Sequence, residues 1–263
     1  GNVEKEIEQA AKTIPIAQKM GDKMFVANGN TNLAIKYNNL SYFEKAYELF
    51  EVSQRQFQEI GGPEDMVYHS LVFSSCLYSI DSLPRMKSVL DIAKKNLDKI
   101  PNSFYMGNYY GELGLYYNGV EEYENALKVL DKSKDFFKTN ETSAYLRLLY
   151  QRYAHSYEKM GNFEKAKAYT MKYINFEDDV HSSEDILGSY ALLAKHEAGL
   201  KNFKLAYNYL REYTVAVDSA RIGKLGNDMQ LLEVQYKTAT KEKEILALKN
   251  EKNEAALALE KKK

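Results

Sequence analysis

LGLYYNGVEEYENALKVLDKS (113–133) and YAHSYEKMGNFEKAKAYTMKY (153–173) carry one pattern twice, with starts forty residues apart. Three further segments join them without a gap: LAIKYNNLSYFEKAYELFEVS (33–53), FSSCLYSIDSLPRMKSVLDIA (73–93) and LAKHEAGLKNFKLAYNYLREY (193–213). The second column is always small: Ala34, Ser74, Gly114, Ala154 and Ala194. Nine residues on stands Phe43, Leu83, Tyr123, Phe163 or Phe203, then Ala46, Met86, Ala126, Ala166 or Ala206, then Phe50, Leu90, Leu130, Thr170 or Leu210. Another column reads Tyr37, Leu77, Tyr117, Tyr157 and breaks at Glu197. Apolar residues spaced by three and four mark one face of an α-helix. Small residues let a neighbouring backbone approach, and turn residues such as Asn38-Asn39 and Gly161-Asn162 separate the two halves of each copy. Ser82 before Leu83-Pro84 reads as an N-cap with proline in the first turn. Each copy is a helical hairpin that cannot bury its apolar face alone, so the copies must stack.

The spacing gives an all-α chain of five full units near 24–60, 64–100, 104–139, 143–179 and 184–218, with partial units at both ends, over residues 1–237. Residues 3–20 read as the second helix of an incomplete leading unit. Residues 238–263 form a second segment, rich in Lys, Glu, Leu and Ala, which are strong helix formers. From residue 228 on, one helix would reach about 50 Å at 1.5 Å per residue. Its heptad seam, Leu231, Val234, Thr238, Lys241, Ile245, Leu248, Lys252, Ala255 and Leu259, is interrupted by two lysines and makes a weak coiled coil.

Composition narrows the function. The 263 residues carry 36 Lys+Arg against 37 Asp+Glu, a formal net charge of -1, which gives no basic surface for nucleic acid. The single Cys76 excludes an internal disulfide framework. No apolar run approaches the roughly 20 residues that span a bilayer. His69, His155, His181 and His196 make no metal-ligand spacing, and His196-Glu197 is not part of HExxH. Cys76 sits in an apolar helical stretch, as a buried structural thiol does. His181 to Asp185 reads as a helix start at a repeat junction. Gly107, Gly111 and Gly114 fall at helical spacing, as close-packing positions. The expectation is therefore no catalytic residue, no metal and no cofactor.

The order small, aromatic, turn, aromatic, Ala, bulky resembles the tetratricopeptide repeat, over roughly residues 3–236. Tyr110, Tyr150 and Tyr190 take that family's early Trp position, its closing Pro is missing, and the period is 40 where the family has 34. The resemblance implies a right-handed superhelical solenoid with a long C-terminal helix, whose first helices line a concave, protein- or peptide-binding face. Projected onto that face, the alignment nominates Asn28, Tyr68 and Asn108; Asn32, Glu112 and Arg152; Ser75, His155 and Lys195; and Asn38, Tyr78, Asn118 and Glu158. An Asn amide donates to and accepts from a backbone at once, so an Asn row suits an extended chain. The carboxylate clamp of chaperone-binding relatives would need Lys and Asn where this chain has Thr31 and Ile35. The longer repeat followed by a charged helix also resembles Bacteroidetes-type membrane-anchored transcriptional regulators. That likeness implies the sensor or scaffold part of a larger signalling protein, reaching a membrane only through a segment not in this chain. It places the repeats on the extracytoplasmic side, with the cytoplasm as the alternative. Two other readings stay open: a homodimerising adaptor acting through the C-terminal helix, and a cytosolic receptor for a peptide signal.

Overall fold

The computed structural model describes residues 3–100, 104–139, 143–176, 183–215 and 217. The chain divides into two units, Gly1–Leu210 and Arg211–Lys263. The heptad seam and the boundary expected near residue 237 lie outside the described residues.

Among the described residues every regular element is an α-helix. A leading helix α1 (Val3–Met20) precedes four hairpins: α2 (Lys23–Asn39) with α3 (Phe43–Ile60), α4 (Pro63–Ser79) with α5 (Leu83–Leu97), α6 (Tyr105–Gly119) with α7 (Tyr123–Thr139), and α8 (Ser143–Lys159) with α9 (Phe163–Ile174). Helix α10 (Ser183–Gly199) follows, and then α11 over 203–215. Helix α10 begins at Ser183, so Ser183, Glu184 and Asp185 of that cluster stand in its first turn, while His181 and Ser182 lie outside the described residues.

The alignment columns become the core. Ala34, Ala46, Phe50, Leu77, Met86, Leu90, Ala126, Leu130 and Ala166 are all buried. Phe50 stacks on Phe73 of the next hairpin, with ring centroids 5.0 Å apart, so each bulky column is covered by the following unit. Along α11 the same columns are open: Phe203 and Leu210 are 68% and 51% exposed. The glycines of α6 admit side chains where a Cβ would collide: at Gly114 it would lie 2.5 Å from Leu130 Cδ2, and at Gly107 2.6 Å from Phe136 Cδ1. The column break is also accounted for. Glu197 is buried, and its Oε1 lies 2.6 Å from Lys167 Nζ on α9, so an ion pair replaces the aromatic contact made elsewhere.

One turn geometry recurs in all five units. Ser41, Asp81, Glu121, Gly161 and Lys201 are left-handed, with φ between 55° and 75°. The residue after each donates its N–H five residues back, as in Ser82 to Leu77 O at 2.8 Å and Asn162 to Tyr157 O at 2.8 Å. This is a Schellman ending, which satisfies carbonyls that the helix leaves unpaired. Only Gly161 carries the residue best suited to that conformation. The left-handed region costs a non-glycine residue about 1–2 kcal/mol, and glycine returns about 0.5–1 kcal/mol of that as unfolded-state entropy. Glu121→Gly is therefore expected to stabilise the chain by about 0.5–1 kcal/mol, read as a higher urea midpoint at unchanged slope. An unchanged or lower midpoint would contradict it.

Ser82 corrects one expectation. It occupies the N-cap of α5, but its side chain makes no capping bond. Asp22 and Asn162 do cap, reaching Phe25 N at 2.9 Å and Lys165 N at 3.1 Å. Their carboxylate and amide arms are one atom longer than a hydroxyl.

Candidate binding groove

The first helices of successive hairpins lie side by side, α2 on α4, α4 on α6 and α6 on α8. Gly111 of α6 leaves room for Leu149 and Arg152 of α8, and the first helices share one surface. Two adjoining hollows open on it. One, of about 370 Å3, is lined by α4, the start of α6, α7 and α8. The other, of about 340 Å3, is lined by α2, α4, α6, α8 and α10. Ser75, Leu148 and Arg152 border both, so the hollows are neighbours along one groove.

The groove floor is tied by hydrogen bonds that step from one repeat to the next. Glu112 on α6 accepts from the Ser74 and Ser75 hydroxyls of α4, at 2.9 and 3.1 Å. Its other oxygen pairs with Arg152 of α8, and both side chains are close to buried, 12% and 11% exposed. Gly111 makes room for that arginine: a Cβ there would stand 2.9 Å from the guanidinium. Asn118 donates to Arg152 O at 3.1 Å and accepts from Ser156 Oγ at 2.7 Å. Glu158 then links α8 to α10, 2.6 Å from Lys195 Nζ and 3.0 Å from His196 Nε2. The hydrogen bond from His196, together with Lys195 and against the effect of burial, holds the Glu158 carboxyl down at about 2. Burial lowers His155, which keeps that imidazole neutral at neutral pH.

The thirteen projected residues divide by what they touch. Tyr68, Asn108 and Glu112 line the first hollow only. Asn38, Tyr78, Asn118, His155 and Glu158 line the second, while Ser75 and Arg152 line both. Lys195 is at the surface beside Glu158. Asn28 donates to Met24 O of its own helix at 3.1 Å, and Asn32 is exposed; neither borders a hollow. Glu112, Arg152, Asn118 and Glu158 line the groove with most of their polar capacity spent on other groups of the chain. Three lining atoms are different: Asn38 Oδ1, Asn108 Oδ1 and His196 Nδ1 are buried and have no hydrogen-bond partner. Buried polar atoms are nearly always paired, so the two orphaned amide oxygens are positions where an incoming donor would gain most.

The projection missed Leu148, Phe104 and Tyr145 in the first hollow, and Gln151 and His196 in the second. Leu148 was within reach: it continues the column of Asn28, Tyr68 and Asn108 into the fourth unit. Phe104 precedes α6 and falls outside the helical columns. Outside the groove, Cys76 is buried, and burial pushes its thiol up to about 11. Among the described residues no group of three His, Cys, Asp or Glu is placed to hold a metal, and no helix is long and apolar enough to cross a membrane.

No family model matches the chain. No curated protein matches it either. Solved structures do. BtubC (BKLC) from P. vanneervenii superposes with a TM-score of 0.62 at 13% identity, over 84% of this chain and 93% of that one. A putative kinesin light chain from Podosopora anserina with nearly identical TPR-like repeats gives 0.51 at 12% identity, over 75% and 97%. A substituted form of that protein gives 0.53 at 13% identity, over 76% and 97%. The fold is a tetratricopeptide-like helical solenoid. At these identities the likeness is one of fold. The solenoid reaches it with Tyr150 and Tyr190 at the early aromatic position, where they pack on Tyr169 and Tyr209 at 6.0 and 6.3 Å.

Proposed function

We propose that this solenoid is a non-catalytic protein- and peptide-binding scaffold whose groove, formed by α2, α4, α6, α8 and α10, holds an extended segment of a partner. The observation that carries this is the pair of unpartnered buried acceptors, Asn38 Oδ1 and Asn108 Oδ1, in adjoining hollows of one groove. An extended backbone presents N–H groups at regular intervals and can supply both. Solenoid concave faces are the extended surfaces such folds use for partners. Within the groove, Asn38, Ser75, Tyr68, Tyr78, Asn108 and His155 are the contact residues we favour, and the paired Glu112, Arg152, Asn118, Glu158 and Lys195 shape the floor.

The test is peptide capture. A random-peptide library panned on the intact chain is expected to yield binders, and Asn38→Ala with Asn108→Ala to weaken them about tenfold or more, as the loss of two hydrogen bonds predicts. The thermal midpoint of the double variant should stay within a few degrees, because each change removes an acceptor without a partner. Binders unaffected by the double variant would contradict the groove assignment.

The forty-residue form of the repeat and the charged C-terminal segment support a finer reading, as the sensor or scaffold part of a larger bacterial transcriptional or signalling regulator. Reading the gene beyond the codon for Lys263 tests it: a membrane span followed by a DNA-binding or kinase module is the expected result, and a stop codon would overturn it.

A further inference from the structure

The two hollows differ in chemistry, and the first is the more specific. Phe104, Tyr145 and Leu148 are 45%, 36% and 41% exposed, and all three converge on it. Phe104 and Tyr145 meet edge to face at 6.0 Å, Tyr145 stacks on Phe137 at 5.0 Å, and Tyr68 lies against Tyr105 at 6.3 Å. Leu71, Val72 and Leu149 complete the walls. An apolar hollow of about 370 Å3 with a few placed polar atoms is the usual form of a side-chain pocket.

Its polar atoms say what accompanies the apolar group. The guanidinium of Arg152, the one cation lining either hollow among the described residues, is already paired with Glu112. Lys195 beside the second hollow is paired with Glu158, and His155 is held neutral by burial. No lining cation is left to neutralise an acidic ligand. The lining atoms left without a partner are Asn108 Oδ1 in the first hollow, and Asn38 Oδ1 and His196 Nδ1 in the second. Glu64 and Asp65 raise the pKa of the Tyr105 hydroxyl, after the larger effect of burial, so negative charge also acts on this end. The groove is complementary to donors and to neutral or basic chain, and opposed to carboxylates and phosphates.

We propose that the first hollow is an anchor pocket for one bulky apolar side chain, Phe, Leu, Met or Tyr, of an extended, non-acidic peptide whose backbone N–H next to the anchor donates to Asn108 Oδ1. This rests on the peptide-binding reading above and names the class of peptide. The adjoining hollow then takes a further donor of the same segment, several residues along, at Asn38 Oδ1.

The experiment uses the intact chain and random heptapeptides displayed on phage, followed by synthetic peptides carrying the recovered motif, titrated by calorimetry. The expected result is a recovered set with one bulky apolar residue at a fixed position and no acidic neighbour. Ala at that position should cost about tenfold or more in affinity. Leu148→Asp, at a partly exposed position that tolerates the change in folding, should abolish capture with the circular dichroism spectrum unchanged. Tyr145→Ser is a second variant with the same expected loss. Recovered peptides that are acidic, that lack a fixed apolar position, or that bind Leu148→Asp and Tyr145→Ser undiminished would overturn the anchor pocket while leaving peptide binding intact. Recovery of no peptide at all would overturn both readings.

Discussion

Arg152→Ala is expected to lower the stability of the solenoid by roughly 3–5 kcal/mol, because it leaves a nearly buried carboxylate without its cation. Glu112 loses the guanidinium and keeps only the Ser74 and Ser75 hydroxyls, in a site where its side chain is 12% exposed. The same change removes the methylenes of Arg152 from the border of both hollows. Replacing both partners is a different matter. A buried ion pair exchanged for apolar residues of similar volume is often neutral or stabilising. Arg152→Met combined with Glu112→Leu should therefore recover most of the loss, since Ser74 keeps Leu71 O as acceptor at 2.7 Å. Urea unfolding of the wild type, Arg152→Met, Glu112→Leu and the double variant forms a cycle, with Arg152→Ala measured beside it. A double variant no more stable than Arg152→Ala would show that the serines and the guanidinium do more than neutralise Glu112.

Acid should destabilise the solenoid in a defined window, and His69 is the reason. The imidazole is fully buried between Phe50, Phe57 and Phe73, with ring centroids 5.4–5.9 Å away. Burial lowers its pKa from 6.5 to about 4. Between those values the unfolded chain binds the proton and the folded chain does not, so stability falls as pH falls. The contribution is fully present above about pH 6.5 and gone below about pH 4. With 1.36 kcal/mol per pKa unit, the loss is roughly 3 kcal/mol. Glu158 acts in a lower window: its carboxyl, depressed to about 2, contributes stability above its ordinary 4.5 that is lost as pH falls toward 2. Comparing pH 7 with pH 5 therefore leaves Glu158 out and reports on the histidines lowered by burial, His69 and His155. His69→Leu should flatten the profile there. Ser53, whose Oγ lies 2.8 Å from His69 Nε2, is not orphaned by the change, because it can donate to Leu49 O at 3.0 Å. A profile equally steep in the variant would assign the acid sensitivity elsewhere.

Much of this molecule was legible from spacing alone. The phase of the small and bulky columns places the hairpins, because a helix face repeats every three or four residues and a packed array repeats its faces. Gly107, Gly111 and Gly114 of α6 read as close-packing positions for the same reason, and the contacts to Phe136, Leu130 and Arg152 are of that kind. The turns were legible as turns, but not as left-handed ones: Ser41, Asp81, Glu121 and Lys201 carry no glycine signal. Their geometry is imposed by the helices on either side, which fix where the chain must reverse.

The groove shows where sequence reading ends. Projection placed Glu112 and Arg152 in one column, as two side chains facing a ligand. They face each other, because residues one repeat apart on adjacent first helices come within reach only when the hairpins stack. It likewise nominated Asn118 and Asn108, in different columns, as amides of one Asn row. Stacking gives Asn118 both of its partners and leaves the Asn108 oxygen with none. The sequence by itself determined that the chain is a helical array with one periodic face, since periodicity is a local property of the residues. Only the tertiary structure decided which of those facing groups cancel and which are left for a partner, since hydrogen-bond satisfaction and charge balance depend on distances between helices that the sequence brings together only on folding.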